Sequence, residues 1–292
     1  APLQRRIRSM SKSVDSLLAA LTAHAPWVAL TGAGVSEASG IPTYRDHGGK
    51  WLGSQPIQHD EFVSDAARRR RYWSRSALGW PRVAKALPNS THDALAELER
   101  SGTLSGVITQ NVDRLHQQAG SKQVIDLHGR LDQVRCLDCS AIEARSTLQT
   151  WLETHNSLPS AASLNIRPDG DADLPEQIIS DFSIPQCSRC NGTLMPDVVF
   201  FGGTVPKPTV EACYQLIDAS QGMMVLGSSL SVYSGLRFCR YAAERGKPLI
   251  ILNEGQTRAD DLCWHKYDTE PFSLLAECAH HLRHAAQEQL HG

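Results

Sequence analysis

The sequence predicts an α/β protein, a doubly wound parallel sheet with an inserted smaller metal-binding module and a helical module. Three observations carry the prediction. Short apolar runs alternate with helix-periodic segments along most of the chain, the pattern of repeated βαβ units. That alternation stops at residue 131 and resumes after residue 196. Two Cys-x-x-Cys pairs, Cys136/Cys139 and Cys187/Cys190, lie inside the interruption. A chain of 292 residues is long enough for two domains. It needs no disulfide to build a core, because folding at this size buries about 75% of the unfolded surface.

Residues 1–10 are basic, with no acid before Asp15, and read as an exposed arm or the stub of a transit peptide. Residues 13–24 read as a helix with Leu17, Leu18 and Leu21 on one face. Residues 27–31 form an apolar run that predicts a buried strand, ending in a glycine-rich loop over 32–40. Residues 57–87 carry Arg and Trp at helical spacing. Their run Arg68 to Arg71 reads as a solvated face with one arginine turned inward. Residues 90–99 predict a helix, with Gly102 just past its end. Then come a strand at 104–109, a helix at 112–119 and a strand at 124–127. After the interruption the reading is strand 198–201, helix 209–219, strand 222–227, helix 234–245, strand 248–252 and helix 273–287. The domain boundaries that follow are 13–45, 88–130 and 197–292 for the sheet, 46–87 for the helical module and 131–196 for the cysteine module.

Each short cysteine spacing lets two thiolates converge on one ion from a tight turn. Four sulfurs close a Zn2+ tetrahedron and leave no position for water, so such a site holds the fold and does no chemistry. The 47 residues between the pairs exceed the gap in a simple zinc ribbon. A redox dithiol or two disulfides are the competing readings. Cys213, Cys239, Cys263 and Cys278 are scattered in apolar or helical settings, as suits a reducing compartment.

The loop after the first strand begins Gly32-Ala33-Gly34. Glycines there let backbone approach a pyrophosphate at a helix N-terminus. The third glycine of a dinucleotide fingerprint is Glu37 instead, and the expected acidic ribose partner is missing. A hydride-transferring dehydrogenase is therefore disfavoured, while a dinucleotide ligand is not. Loops at 109–113, 227–230 and 253–255 also follow predicted strands and emerge at the carboxyl edge, where ligands bind. They offer amides, hydroxyls and carboxylates suited to sugar hydroxyls and a carboxamide. His128, where a strand leaves the sheet, is placed for general-base work near neutral pH; a capping or core role is its plainer reading. His92, His116, His280 and His281 lie in predicted helices and read as structural. The net charge of −2 argues against nucleic-acid binding. No apolar run approaches the roughly 20 residues of a membrane span, and no secretory leader is expected.

In order and spacing, residues 32–45, Thr109-Gln-Asn-Val-Asp113, Leu127-His-Gly129, the four cysteines, Asp197-Val-Val-Phe-Phe-Gly202 and Gly227-Ser-Ser229 resemble the sirtuin family. The resemblance covers roughly residues 13–280. The insert between the cysteine pairs, residues 71–81 and residues 253–261 look most like its class II, sirtuin-4-like branch. The resemblance implies a Rossmann-like domain and an NAD-dependent protein-lysine deacylase. Nicotinamide, free lysine and O-acyl-ADP-ribose would be its products, and acylated-lysine proteins its partners. In that chemistry the acyl oxygen attacks the nicotinamide ribose carbon, and His128 would be the base for a ribose hydroxyl.

Carried over by position, Gly32, Ala33 and Gly34 hold the pyrophosphate. Ser36, Ile41, Gln110, Asn111 and Asp113 line the nicotinamide and inner-ribose pocket. Thr43, Tyr44 and Arg45 belong to the cofactor loop. Gly227, Ser228 and Ser229 contact phosphate and ribose, and Asn253, Glu254, Gly255 and Pro271 serve the adenosine half. Cys136, Cys139, Cys187 and Cys190 bind one structural zinc. Substrate would add as a strand beside Val199, Phe200, Phe201, Gly202 and Gly203.

Many sirtuins have Asp-Phe where this chain has Thr43-Tyr44, which bears on loop dynamics and deacetylase rate. A dicarboxylic acyl preference finds no match after Arg45. Gly48-Gly49 and alternate faces of 198–201 suggest room for a long or bulky neutral acyl chain. The alternatives are a protein mono-ADP-ribosyltransferase using NAD and a non-catalytic NAD-sensing zinc module. A monomer is expected, cytoplasmic or, alternatively, in the mitochondrial matrix.

Overall fold

The computed structural model describes residues 2–43, 56–160 and 174–291. Helix α1 (Pro2–Ala23) leads into β1 (Trp27–Thr31), followed by a 3-10 segment over Ala33–Ser39. Then come α2 (His59–Ser64), α3 (Ala66–Ala84), α4 (Ser90–Arg100), β2 (Leu104–Thr109), α5 (Leu115–Gln118) and β3 (Val124–Asp126). A second group comprises β4 (Gly129–Cys136), β5 (Ile142–Ala144), α6 (Arg145–His155), α7 (Glu176–Ser180) and β6 (Leu194–Val198). The chain returns through α8 (Lys207–Asp218), β7 (Gly222–Leu226), α9 (Tyr233–Glu244), β8 (Leu249–Leu252), β9 (His265–Tyr267) and α10 (Pro271–His291).

The larger sheet has the order β3-β2-β1-β7-β8-β9 and every pairing is parallel. The chain steps outward from β1 to β3, leaves the sheet, and re-enters at β7 on the other side of β1. The β1–β7 boundary is thus the switch point, and the ligand crevice of such a sheet is expected beyond the carboxyl ends of these two strands. All five residues of β1 are buried, because helices cover both faces and a parallel strand then needs apolar side chains throughout. Trp27 and Ala29 pack with Leu17, Leu95 and Leu275 of α1, α4 and α10. Val28 and Leu30 pack with Leu216, Ile217 and Phe238 of α8 and α9.

The smaller sheet is antiparallel, in the order β5-β4-β6. Its side chains share one core with the helical segment: Phe62 and Trp73 of α2 and α3 cluster with Leu148, Leu152, Phe182 and Met195. Arg145 is fully buried in this region. Its Nη1 donates to Gln149 Oε1 at 2.8 Å and its Nη2 to Ser76 Oγ at 3.0 Å. The guanidinium lies 4.6 Å from the Trp80 ring centroid, where the ring face favours a cation. Burial lowers its pKa to about 10.

Several sequence expectations are corrected. Residues 2–10 are helical and extend α1 toward the N-terminus, where no helix was expected. The strand expected at 198–201 in the main sheet is instead β6, which ends at Val198 and pairs with β4. Phe200 then turns into the aromatic cluster, 5.2 Å from the rings of both Phe62 and Tyr72. Burying that ring outweighs continuing the strand. The helix expected at 112–119 shrinks to Leu115–Gln118, because Asp113 Oδ1 accepts the Leu115 amide at 3.0 Å and Arg114 sits at φ 65°. That local turn replaces helical bonding. Strand β9 was not anticipated, since three residues with a polar start carry no apolar run. Of the arginine run, Arg68 is exposed, Arg69 donates to the Phe62 and Val63 carbonyls, and Arg71 pairs with Glu176.

Candidate active site and metal centre

The loops after β1 and β7 meet backbone to backbone. Gly32 N donates to Leu226 O at 3.0 Å, and Gly34 N to Gly227 O at 2.9 Å. A Cβ on Gly32 would lie 2.7 Å from Gly227 O and 2.7 Å from Ser228 Cβ; one on Gly34 would lie 2.9 Å from Gly227 Cα. Gly227 itself has φ 61°, and a Cβ there would meet Val35 N at 2.6 Å. Only residues without side chains allow this approach. The glycines therefore close the floor of the crevice as well as bare its backbone, and Ala33 lies between two of them.

The loop after β2 supplies the polar wall. Asn111 Nδ2 donates to Gly32 O at 2.9 Å and Ser36 Oγ at 3.2 Å. Ser36 in turn donates to Asp113 Oδ2 at 2.6 Å. Burial pushes the Asp113 carboxyl above the usual range, opposed by the Ser36 hydrogen bond. Gln110 Nε2 donates to Ser228 Oγ at 2.9 Å, joining the β2 and β7 loops. Ser229 Oγ lies 2.8 Å from Ser231 Oγ, and Arg258 braces both residues by bonding Ser229 O and Ser231 O.

His128 stands at the start of the passage from β3 into β4. Its Nδ1 lies 3.2 Å from Gln110 O and its Nε2 lies 2.7 Å from Ser234 Oγ. A carbonyl oxygen only accepts, so Nδ1 carries the hydrogen and Nε2 is the basic nitrogen. Burial lowers the His128 pKa below 6.5, opposed by the Gln110 bond and reinforced by the charge of Arg237. The imidazole is thus neutral and able to take a proton at neutral pH.

His92 and His116 have different surroundings. His92 Nδ1 accepts the Asn89 amide at 3.1 Å, and His116 Nε2 lies 2.8 Å from Thr31 Oγ1. Their rings are 4.9 Å apart. Burial brings His92 down to about 4 and His116 to about 3, the latter also disfavoured by His92.

The remaining positions are spread more widely. Ile41 is buried in the core shared by the helical and cysteine segments, and Thr43 is the last described residue before 44–55. Tyr44, Arg45 and Gly48-Gly49 lie outside the described residues. Asn253 follows β8 and donates to Glu254 O at 2.6 Å, while Gly255 O accepts from Lys266 at 2.7 Å. Pro271 opens α10 past β9, two strands beyond β7.

Residues 199–203 are a loop. Val199 N donates to His128 O and His59 N to Phe201 O, both at 2.8 Å, and Gly203 N to Phe200 O at 2.9 Å. These backbone groups are taken within the chain. Burial still alternates here: Val198 and Phe200 face the core shared with the helical segment, and Val199 and Phe201 are half-buried on the other side. Ser234, Gly235 and Arg258 were missed by sequence reasoning. Ser234 looked like an ordinary helix start, and no spacing relates it to His128.

The four cysteines converge. Cys136, Cys139, Cys187 and Cys190 place their Sγ atoms within 4.8 Å of one another. Cys136 and Cys190 are 3.5 Å apart, Cys139 and Cys187 3.7 Å. A tetrahedron with Zn–S near 2.3 Å has edges of about 3.8 Å, so the set fits zinc. The Cys139 and Arg189 amides donate to Cys136 Sγ and Cys187 Sγ at 3.4 Å, which favours thiolates. Amide donation, first from Cys139, brings Cys136 down to about 7.

A parallel sheet with a glycine-floored crevice at its switch point, a neutral histidine beside it and a four-thiolate module define a nucleotide-binding α/β enzyme class. The Sir2 family model matches residues 32–234, and the chain belongs to the Sir2 family. It is 49% identical over 247 residues to the NAD-dependent protein deacetylase 2 of Bradyrhizobium diazoefficiens, covering 85% of this chain and 90% of that one. It is 51% identical over 249 residues to the NAD-dependent protein deacetylase of Xanthomonas campestris pv. campestris, covering 85% and 84%. A solved Sir2–p53 peptide–NAD+ complex superposes with TM-score 0.72 at 32% identity, covering 93% of this chain and 98% of the other. A Sir2 complex with deacetylated p53 peptide and 3'-O-acetyl ADP-ribose gives TM-score 0.72 at 30% identity, covering 90% and 96%.

Proposed function

We propose that the chain is an NAD-dependent protein-lysine deacylase in which His128 is the general base. The observation that carries this reading is the fixed tautomer of His128, with Nε2 basic at the carboxyl edge of the switch-point crevice. Bound NAD supplies a ribose carbon that nicotinamide can leave, and ribose hydroxyls that can be acylated. Around it, the backbone of Gly32, Ala33, Gly34 and Gly227 receives the pyrophosphate, with Ser228 and Ser229. Asn111, Asp113, Ser36, Gln110 and Ile41 orient the inner ribose and carboxamide. Asn253, Glu254 and Gly255 serve the adenosine half, with Pro271 at its far end. Residues 199–203 border the entry of the acylated lysine. His128 Nε2 takes the ribose hydroxyl proton, its neutral state maintained by burial. The cysteine module holds zinc and takes no part in the reaction.

The sirtuin-4-like placement is part of the same proposal. It is supported by residues 71–81, by the insert between the cysteine pairs and by residues 253–261. A cytoplasmic setting agrees with the bacterial origin of the named relatives, which give the mitochondrial alternative no support. Among the described residues, no helix is long and apolar enough to cross a membrane.

The test incubates the protein with NAD and one peptide carrying acetyl-, butyryl-, glutaryl- or lipoyl-lysine. Nicotinamide and O-acyl-ADP-ribose should appear in equal amounts. Label on protein in place of O-acyl-ADP-ribose would mean ADP-ribosyl transfer, and no nicotinamide release from any peptide would mean a sensor without turnover.

A further inference from the structure

Ser234 is the second residue of α9, and the N-cap of that helix is Val232, which makes no side-chain capping bond. A serine in such a turn usually bonds nearby backbone. Ser234 instead places Oγ 2.7 Å from His128 Nε2. With Nδ1 donating to the Gln110 carbonyl, the hydroxyl donates to the Nε2 lone pair. The ring is therefore held at both nitrogens.

The contacts close a circuit. Gln110 holds His128 through its carbonyl, and its side chain bonds Ser228 at 2.9 Å. The segment that begins at Ser228 returns at Ser234 to the far side of the same imidazole. Gly235 permits this, because a Cβ there would lie 3.0 Å from Gln110 Oε1.

We propose that Ser234 is a positioning residue for the base. Its hydroxyl holds the ring, whose tautomer Gln110 sets, in the orientation that aims Nε2 at the ribose hydroxyl, and cedes that place when the ribose hydroxyl arrives. The proposal rests on His128 being the base. A ring tethered only through Nδ1 turns more freely, and a smaller fraction of complexes is aligned for proton transfer.

The experiment uses the full chain with zinc, NAD and the best acyl-lysine peptide. Ser234→Ala should lower kcat about 3–10-fold, the range for one neutral hydrogen bond. The KM for NAD, the zinc content and Tm should be unchanged. Ser234→Thr, which keeps the hydroxyl, should restore most of the rate. In 15N NMR the His128 signal, assigned by its loss in His128→Ala, should report an Nδ1-protonated ring in both proteins, with the Nε2 resonance displaced in Ser234→Ala by loss of the hydroxyl's hydrogen bond. Parental kcat with an unchanged His128 signal would overturn the proposal, as would a threonine variant as slow as the alanine one. Failure of the base assignment reads differently: His128→Ala would then turn over normally, whatever the Ser234 variants do.

Discussion

Gly32→Ala isolates the contact between the two loops that floor the crevice. Gly32 is in extended conformation, φ −130° and ψ −171°, so alanine adds no backbone strain. The added Cβ would sit 2.7 Å from Gly227 O and 2.7 Å from Ser228 Cβ. Carbon atoms pack at about 3.5–4.0 Å, so the loops must part by about 1 Å. Neither obstacle is the free end of a flexible side chain, and overpacking of this kind costs about 1–3 kcal/mol. At about 2–4 °C per kcal/mol for a domain of this size, Tm should fall by roughly 2–12 °C. A displacement of about 1 Å in a reacting site can cost about 100-fold in rate, so kcat/KM for NAD should fall by roughly that factor. Gly102→Ala is the comparison: φ is 77° with nothing within 4 Å of the added Cβ. It should lower Tm through backbone strain and leave turnover alone. The assays are thermal unfolding and nicotinamide release. Parental kcat/KM in Gly32→Ala would refute the view that the β1–β7 approach shapes the NAD site.

Two further outcomes follow from the metal centre and the buried histidines. Cys187→Ala should lose zinc and lower Tm together, since metal binding contributes to folding of the small module; metal analysis beside thermal unfolding checks it, and a zinc-free protein of parental stability would contradict it. His92 and His116 have folded pKa values of about 4 and about 3, below the 6.5 expected unfolded. Their contribution is therefore present above pH 6.5 and is lost as pH falls toward 4 and then 3. Denaturant melts from pH 7 to 4 should show stability declining, with this pair taking up to about two protons on unfolding and His128 adding to the uptake, and His116→Gln should remove about one; an unchanged slope in that variant would contradict the assignment.

Residue order by itself determined the parallel sheet, because the apolar run at Trp27–Thr31 and its counterparts suit only strands covered on both faces. It also determined the four-thiolate site, because Cys-x-x-Cys spacing brings sulfurs together within a single turn. Gly32, Asn111 and Asp113 were legible as loop residues at one sheet edge for the same local reason. The tertiary structure alone decided how they are joined. It placed Ser234 on His128 across 106 positions of sequence, a contact that no short-range pattern encodes. It packed Phe200 into a ring cluster with Phe62 and Tyr72, whose partners come from a distant segment of the chain and bury the ring's large apolar surface. It merged the helical and cysteine segments around one core with Arg145 inside it. The stability of a buried arginine depends on the amide, hydroxyl and ring face that surround it, and those partners are assembled only when distant segments pack together.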